Sequence, residues 1–389
     1  MSGSDLDMNS TSEESQNMSC EITDVQRKFY SVYSWWLGGI GTIFVASFGL
    51  LFNTIAISIL CNKRMKESFF NRLLVCLAIV DNLFLTNGIY SAYAMQLSEP
   101  NTSSGNHLFI FINILYPARN VLMCSSIYMT VGLACERYIS IAKPYLQRSR
   151  QSENTCRRLV CYVVPVISLS IVFYIPKFFD LKLIETVLSC STKLSNETAD
   201  KNCSTEFSIF PTDIRINNDY ILWYINIANL MVTSVVPGVF LTFFNYKIHL
   251  CSIARRKRRA SMISEAFLNN KERDKKGYET RQTFVLFAIV IMFVICHILR
   301  IVLNLEEIVN FKLNDTQRKK GCPGVEFWEM VTLPISGLLL HINSSSNFFI
   351  YCIYDNLFKD VLKSQVPYRL TSCRKLSSRQ EDAIEMQRI

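Results

Sequence analysis

Residues 121–138 read VLMCSSIYMTVGLACERY, an apolar run that ends in the charged pair Glu136-Arg137 followed by Tyr138. A charged pair at the end of a membrane helix is costly, so its presence usually marks a functional site. Crossing a bilayer takes about 20 mostly apolar residues. The chain has 389 residues, of which 50% are apolar, and its mean hydropathy is +0.19. Runs of this kind lie at 35–61, 70–96, 108–141, 157–179, 218–250, 280–305 and 327–353. The pattern predicts an all-α membrane protein, a bundle of seven transmembrane helices.

Two independent signals predict how the chain crosses the membrane. The loops that follow spans one, three and five are basic, including the five-residue run at 255–259, and short basic loops stay in the cytoplasm, where they meet anionic lipid. The opposite side carries N-glycosylation sequons. Both signals place the amino terminus outside a plasma-membrane protein. They divide the chain into a glycosylated extracellular tail (1–34), a seven-span domain (35–354) and a cytoplasmic end (355–389). The outer sequons are Asn9, Asn17, Asn101, Asn196, Asn202 and Asn314.

Helical periodicity groups the polar residues of span three on one face. Arg119, Ser126 and Arg137 are separated by 7 and 11 positions, close to two and three turns of an α-helix. This face should point into the bundle, since lipid would not tolerate it. Arg119 then lies about 27 Å above Arg137, near the outer mouth.

One carboxylate, Asp81, falls in the middle of span two, and such a residue is costly unless it is paired, neutralised or bound to a cation. With Ser126, Asn343 and Asn347 it would form a site of hard oxygen ligands suited to sodium. The alternative is a protonated carboxyl group with a structural role.

The order of these residues along the chain resembles that of the rhodopsin-like (class A) G-protein-coupled receptors, over about residues 35–365. The resemblance implies that an extracellular ligand opens an inner cleft for a heterotrimeric G protein. It also implies a short amphipathic eighth helix from Asp355 to Ser364, with Phe358 as its membrane-facing anchor. The motifs that carry the resemblance are Asn53, Leu77-Ala78-Ile79-Val80-Asp81, Glu136-Arg137-Tyr138, Pro237 and Asn347-Phe348-Phe349-Ile350-Tyr351.

Departures from the family pattern indicate which subgroup of the family the sequence resembles. Span six reads Cys296-His297-Ile298-Leu299 where the family has Cys-Trp-x-Pro, and Phe348 replaces the proline of span seven. These substitutions look like those of invertebrate FMRFamide-type neuropeptide receptors. The expected ligand is therefore an extracellular, amidated, FMRFamide-like neuropeptide. A class A receptor for a non-peptide ligand is the alternative.

The expected ligand pocket combines a cationic interior with an acidic mouth. Two arginines and two histidines make the interior polar, and a peptide with a basic residue at the mouth and a polar amidated end below it would suit both zones. Arg119 has an alternative partner in Asp180. The ligand-binding candidates are Arg119, His297, Arg300 and His341 inside, with Glu307 and Glu329 at the mouth.

Activation is expected to involve the inner ends of spans three, six and seven. Glu279, at the start of span six, can face Arg137, and their pairing would hold the resting state. The alternative is a solvated acid that is favoured at a helix start. The residues expected to act in coupling are Glu136, Arg137, Tyr138, Glu279, Asn347 and Tyr351.

The outer cysteines depart from the family, which usually ties the outer end of span three to the second outer loop. No cysteine lies between Cys76 and Cys124, and Cys124 is too deep in the membrane, so this bond cannot form. Four outer cysteines allow three connectivities, among which we expect Cys190–Cys203 and Cys20–Cys322. Cys373 is a candidate for palmitoylation, with a free thiol as the alternative.

Other functional classes fit the sequence less well. A transporter or channel would place ionisable residues along a continuous path, whereas here they cluster at the two ends and at Asp81. The four histidines form no His-Glu-x-x-His pattern, and no nucleophile–base pair is evident, so the chain is not expected to be an enzyme. A nucleic-acid partner is not expected, and sodium is the one ion anticipated.

Overall fold

The computed structural model describes residues 24–97, 104–143, 145, 155–193, 200–262, 270–319 and 326–365. Within these ranges, the side chains at 24, 96–97, 104–105, 186–193, 200–206, 255–262, 270–283, 317–319 and 365 lie outside the description. Six described helices are long and apolar enough to cross a membrane. These spans one to six are Val25–Leu60, Phe69–Met95, Asn106–Ala142, Thr155–Phe179, Tyr220–Ala254 and Phe284–Val309.

A seventh span follows as two helices, and the predicted seven-helix membrane bundle is confirmed. Span one begins earlier than residue 35, because helix α1 runs into α2 through a π-helical turn at Trp35–Gly41. The described α-helices are α1 Asp24–Ser34, α2 Thr42–Leu60, α3 Lys63–Lys66, α4 Phe69–Ala92, α5 Ser104–Ile110, α6 Tyr116–Ala142, α7 Thr155–Tyr174, α8 Asp213–Ile216, α9 Val236–Met262, α10 Asn270–Val309, α11 Phe311–Lys319, α12 Phe327–Ser345, α13 Asn347–Tyr354 and α14 Asn356–Gln365. Shorter turns are π-helical at Tyr93–Leu97, Phe111–Leu115, Tyr220–Ala228 and Met231–Val235, and 3-10 at Ile175–Phe179.

Span three lies at the centre of the bundle, where it contacts spans two, four, five and six. Its inward side chains, among them Met123, Ile127 and Leu133, are buried in one apolar core. Large apolar side chains such as Leu169 on span four and Phe287 on span six remain exposed. In a bilayer these outward faces meet hydrocarbon, so their exposure is expected for a membrane protein.

Span seven is interrupted at Ser346 without the help of a proline. The hydroxyl of Ser345 donates to the carbonyl of His341 at 2.7 Å, and that of Ser346 donates to the carbonyl of Asn343 at 2.8 Å. Hydroxyls that bond back to the helix in this way compete with the backbone ladder and bend it. The carbonyl of Ser344, next to the break, accepts a bond from Asn53 Nδ2 at 2.9 Å.

The predicted eighth helix is present as α14, and the Asp355 side chain caps its start by accepting from the N–H groups of Leu357 and Phe358. The expectation that Phe358 faces the membrane is wrong. Its side chain is fully buried and packs against the rings of Phe348 and Tyr351. Phe358 therefore fixes the helix to the bundle because its ring fills a space beside span seven.

A β-hairpin in the second outer loop was not predicted. Strands β1 (Leu181–Lys193) and β2 (Asp200–Pro211) pair antiparallel, with an irregularity between Val187 and Ser189. Both strands contact the outer end of span three. The hairpin therefore lies beside the mouth of the bundle.

Candidate functional site

The Asp81 carboxylate lies at the centre of a polar cluster in the middle of the bundle. Its Oδ1 accepts from Ser126 Oγ at 2.7 Å, and its Oδ2 accepts from Asn347 Nδ2 at 2.8 Å. The hydroxyl of Ser344 also lies beside this carboxylate. The structure thus brings three of the four expected sodium ligands together and adds Ser344. In the described part of the chain, Asn343 is not among the hydrogen-bond partners of Asp81.

The inner end of span three carries an acid held by span four. Glu136 is buried and forms an ion pair with Arg158, and its Oε2 accepts from Tyr162 at 3.2 Å. The guanidinium of Arg158 also stacks on the Phe69 ring, 4.0 Å from its centroid. We call Glu136, Arg158 and Tyr162 the inner cluster. Neither span-four residue was singled out from the sequence.

Arg137 is directed toward span two. Its guanidinium carbon lies 3.7 Å from the ring centroid of Phe70, a buried side chain next to Phe69. Tyr138 instead faces span five, where its ring packs against Phe244. The backbone of Glu279 is part of α10, but its side chain lies outside the described part. The pairing of Arg137 with Glu279 therefore stays a prediction.

Tyr351, the last of the expected coupling residues, is buried on span seven behind Phe358. Among the described residues its hydroxyl has no hydrogen-bond partner. It lies close enough to Asp81 for the two groups to interact electrostatically. Tyr351 therefore connects the central polar cluster with the inner end of the bundle.

Two arginines face each other across the outer half of the bundle. Arg119 on span three and Arg300 on span six interact electrostatically. A Cβ built on Gly337 would lie 3.6 Å from Arg119 Nη2, so this guanidinium reaches span seven. Within the described ranges neither arginine forms an ion pair with a carboxylate, and the buried Nε of Arg300 has no hydrogen-bond partner.

Both histidines of the expected pocket are buried against aromatic rings. His297 packs on Phe293 with ring centroids 4.2 Å apart, and His341 stacks on Phe84 at 5.0 Å. The carbonyl of Gly337 fixes His341 through Nδ1 at 2.8 Å. Each histidine lies close enough to one arginine to interact with it electrostatically, His297 with Arg300 and His341 with Arg119.

The acids expected at the mouth have structural partners. Glu329 is buried, and its Oε2 accepts from the backbone N–H of Glu326 at 2.8 Å, which forms a capping box at the start of α12. Glu307 lies half-buried on span six, next to Glu306, whose carboxylate accepts from Asn310.

Asp180 is fully buried and accepts from three donors on different elements. Tyr220 OH donates to Oδ1 at 2.6 Å, while Lys177 Nζ and Tyr116 OH donate to Oδ2 at 2.9 and 3.1 Å. The alternative pairing of Arg119 with Asp180 is therefore wrong, because Lys177 and the two tyrosines surround this carboxylate. We call Asp180, Lys177, Tyr116 and Tyr220 the outer cluster.

The register of the hairpin bears on one expected disulfide. Cys190 on β1 is directly opposite Cys203 on β2, and Cα atoms of residues opposite each other in an antiparallel pair are about 4.5–5.5 Å apart, within the range that a disulfide spans. The side chains themselves lie outside the described part. Cys124 is buried with a free thiol, as expected.

Several predicted modification sites lie outside the described residues or side chains. Asn314 is the exception: its side chain is buried in α11, which disfavours glycosylation at this position. Asn202 belongs to β2, but its side chain is outside the description. The sites outside the described residues are Asn9, Asn17, Asn101, Asn196, Cys20, Cys322 and Cys373.

Residues 52–351 match the family model described as 7 transmembrane receptor (rhodopsin family). The chain belongs to this family. It is therefore a multi-pass membrane receptor and not an enzyme. The match includes the Asp81 cluster, both ends of span three and the interrupted span seven.

Curated relatives resemble the receptor over most of its length. It is 27% identical over 334 residues to a protein named FMRFamide receptor from Drosophila melanogaster. This alignment covers 84% of this chain and 53% of the relative. It is 19% identical to an FMRFamide peptide receptor of Caenorhabditis elegans over 81% of this chain and 65% of that protein. A Drosophila melanogaster sex peptide receptor is 23% identical over 81% of this chain and 68% of its own length. The chain spans about half the length of the first relative and about two thirds of the second.

Proposed function

We propose that this protein is a plasma-membrane receptor for an extracellular, amidated, FMRFamide-like neuropeptide and that it signals to a heterotrimeric G protein. Two of the relatives named above bear FMRFamide receptor names, and the family assignment supports coupling at the inner end of span three. The amino terminus is outside in this proposal. The basic inner loops and the sequons in the amino-terminal tail support that topology.

The pair of facing arginines is the observation that supports a ligand rich in oxygen acceptors. Arg119 and Arg300 bring two positive charges into the bundle, and no described carboxylate neutralises either one. Both side chains are half-buried, and two like charges held close together repel each other, so an incoming acceptor is favoured. The carbonyl oxygens at the amidated end of a peptide supply such acceptors.

The test is a screen on cells that express the full chain, with Phe-Met-Arg-Phe-amide as the first probe. Arg119→Gln and Arg300→Gln should each lower its potency by about 10–100-fold, because a hydrogen bond to a charged group contributes about 1.5–3 kcal/mol. Lys182→Gln is the matched control, since Lys182 is exposed on β1. Equal potency in both arginine variants and wild type would remove these residues from the ligand site. A chain at the cell surface that responds to no amidated peptide in the panel would count against the peptide ligand.

Coupling to the G protein is assigned to Arg137. In the structure this side chain stacks on Phe70 while Glu136 is held by Arg158, so the acid and the base of the motif are directed to different helices. Outward movement of span six would open the space below Arg137 to a G protein. The Arg137–Glu279 pairing remains part of this proposal, and Glu279→Ala should raise ligand-free signalling.

A sodium ion at Asp81 is a second part of the proposal. The carboxylate and the hydroxyls of Ser126 and Ser344 converge, and they are the hard oxygen ligands that such an ion prefers. The ion would lower agonist affinity if it favours the resting state. Affinity that is independent of sodium in both wild type and Asp81→Ala would contradict this site.

A further inference from the structure

Receptors of this family usually fix the second outer loop to span three with a disulfide, and this chain has no cysteine at the outer end of span three. The structure nevertheless places both strands of the hairpin against that end. Another interaction must therefore hold the loop in place. The outer cluster is located at the same junction, between the end of span four and the first residue of β1.

The outer cluster connects three elements through one carboxylate. Tyr116 begins the regular helix of span three, Tyr220 begins span five, and Lys177 belongs to the turn that ends span four. All three donate to Asp180, which has no solvent exposure. Arg215, on α8, adds a cation 4.0 Å from Oδ2.

The end of the hairpin is hydrogen-bonded to the backbone that leads into its start. The N–H of Thr212, which follows β2, donates to the carbonyl of Asp180 at 3.0 Å. The Thr212 hydroxyl donates to the carbonyl of Phe179 at 2.6 Å. Since Asp180 directly precedes β1, the carboxylate positions the entry and the exit of the hairpin together.

We propose that Asp180 and its donors form a non-covalent anchor that holds the second outer hairpin on spans three and five, in place of the family's disulfide. The four residues act as positioning residues for the ligand entrance. Three donors to one carboxylate, one of them a cation, form a charge-assisted network. Its burial makes loss of any one partner costly.

Such an anchor differs from a disulfide in what breaks it. A reductant leaves the carboxylate and its donors intact, whereas removal of a single hydroxyl or charge weakens them. The expected Cys190–Cys203 bond lies further along the strands and joins the hairpin only to itself. Reduction should therefore loosen the outer part of the hairpin and leave its base attached to span three.

Amide hydrogen exchange of the full-length receptor in lipid nanodiscs tests the anchor without any ligand. In Asp180→Asn, exchange at the Thr212 amide and along 207–211 should accelerate about tenfold or more. Tyr116→Phe and Tyr220→Phe should give smaller accelerations at the same amides, and they keep the test decisive if Asp180→Asn does not fold. Tyr224→Phe is the matched control, because Tyr224 lies one turn from Tyr220 and donates to the carbonyl of Phe173 instead.

A reductant applied to the wild-type protein completes the test. Unchanged exchange at residues 207–212 in reductant, together with faster exchange in the Tyr116 and Tyr220 variants, is the expected result. The anchor is overturned if both tyrosine variants exchange like Tyr224→Phe. It is also overturned if reductant alone releases the base of the hairpin as fully as Asp180→Asn does.

Discussion

Spans three and four are joined at both ends by a buried acid, a cation and tyrosine hydroxyls, but the two junctions differ in what else they hold. At the inner end, Glu136 pairs with Arg158 and Tyr162, so the three residues of the cluster lie on these two spans, with Phe69 of span two packed against them. At the outer end, Asp180 also bonds to Tyr220 on span five and positions the hairpin. The same chemistry therefore holds helices together at the inner end and a loop beside the mouth of the bundle at the outer end.

Because of this difference, mutations in the two clusters should have different effects on the receptor. Span four supplies the cation in each case, Arg158 inside and Lys177 outside, although this helix exposes most of its surface to lipid. The inner ion pair crosses from span four to span three, whereas the outer pair lies within the end of span four and reaches span three through the Tyr116 hydroxyl. Damage to the inner cluster should alter coupling, and damage to the outer cluster should alter ligand entry.

The largest expected effect is on stability, from Arg158→Met. This change leaves the Glu136 carboxylate buried without its cation, which costs about 3–5 kcal/mol. The midpoint of thermal inactivation of the purified receptor should fall accordingly. Arg157→Met is the matched control, since Arg157 is the exposed neighbour. Adding Glu136→Gln to Arg158→Met should recover part of the loss, and a fall of equal size in the Arg157 control would contradict the inner cluster's role.

The next largest effect on stability is expected from a steric clash in the middle of the bundle, between the two clusters. A Cβ at Gly88 would lie 2.2 Å from Nε2 of the buried His341, so Gly88→Ala must displace that ring at a cost of about 1–3 kcal/mol. Gly238 has nothing within 4 Å of its Cβ position, so Gly238→Ala should be neutral or slightly stabilising. Thermal inactivation of the two alanine variants measures the contrast, and equal midpoints would be inconsistent with the packing of His341.

A smaller effect of about 1 kcal/mol is expected when either cluster loses one tyrosine hydroxyl. Tyr162→Phe removes a donor to Glu136 and should raise ligand-free signalling. Tyr220→Phe removes a donor to Asp180 and should instead change the dissociation rate of bound peptide. Basal G-protein activation and peptide dissociation, measured on both variants, separate the two roles. The distinction fails if each variant changes both quantities alike.

The smallest effect concerns the two neighbouring phenylalanines of span two. Phe70 stacks on Arg137 and Phe69 stacks on Arg158, and such a contact contributes about 0.5–2 kcal/mol. Phe70→Leu should release Arg137 and raise basal signalling more than Phe69→Leu does. The comparison is made at matched surface expression, and the reverse order would indicate that Phe70 does not restrain Arg137.

The sequence predicted the fold from local patterns and the central polar cluster from the family motifs. Apolar runs give the spans, and spacing along one helix places Arg119, Ser126 and Arg137 on one face. Asp81, Ser126 and Asn347 lie far apart in the chain, and the family motifs brought them together. The structure places Ser344 beside Asp81 instead of the expected Asn343. Which of these neighbours faces Asp81 depends on the break in the helix at Ser346.

The outer cluster could not be predicted in the same way. Tyrosines near the ends of membrane helices are usually interpreted as interfacial anchors, so nothing in the sequence singled out Tyr116 and Tyr220 as partners of Asp180. Their convergence on Asp180 depends on how spans three, four and five pack. The spacing of Lys177 and Asp180, three residues apart after a proline, was the one local indication of a buried pair.

The most direct test is nucleotide exchange on a heterotrimeric G protein, measured in membranes that contain the full-length receptor and stimulated with Phe-Met-Arg-Phe-amide. Wild type should respond, and Arg300→Gln should need a higher concentration to reach the same maximum. Arg137→Ala should bind the peptide and give no response, because it lacks the residue proposed to couple the receptor to the G protein. A full response from Arg137→Ala at equal receptor density would contradict coupling through the inner end of span three.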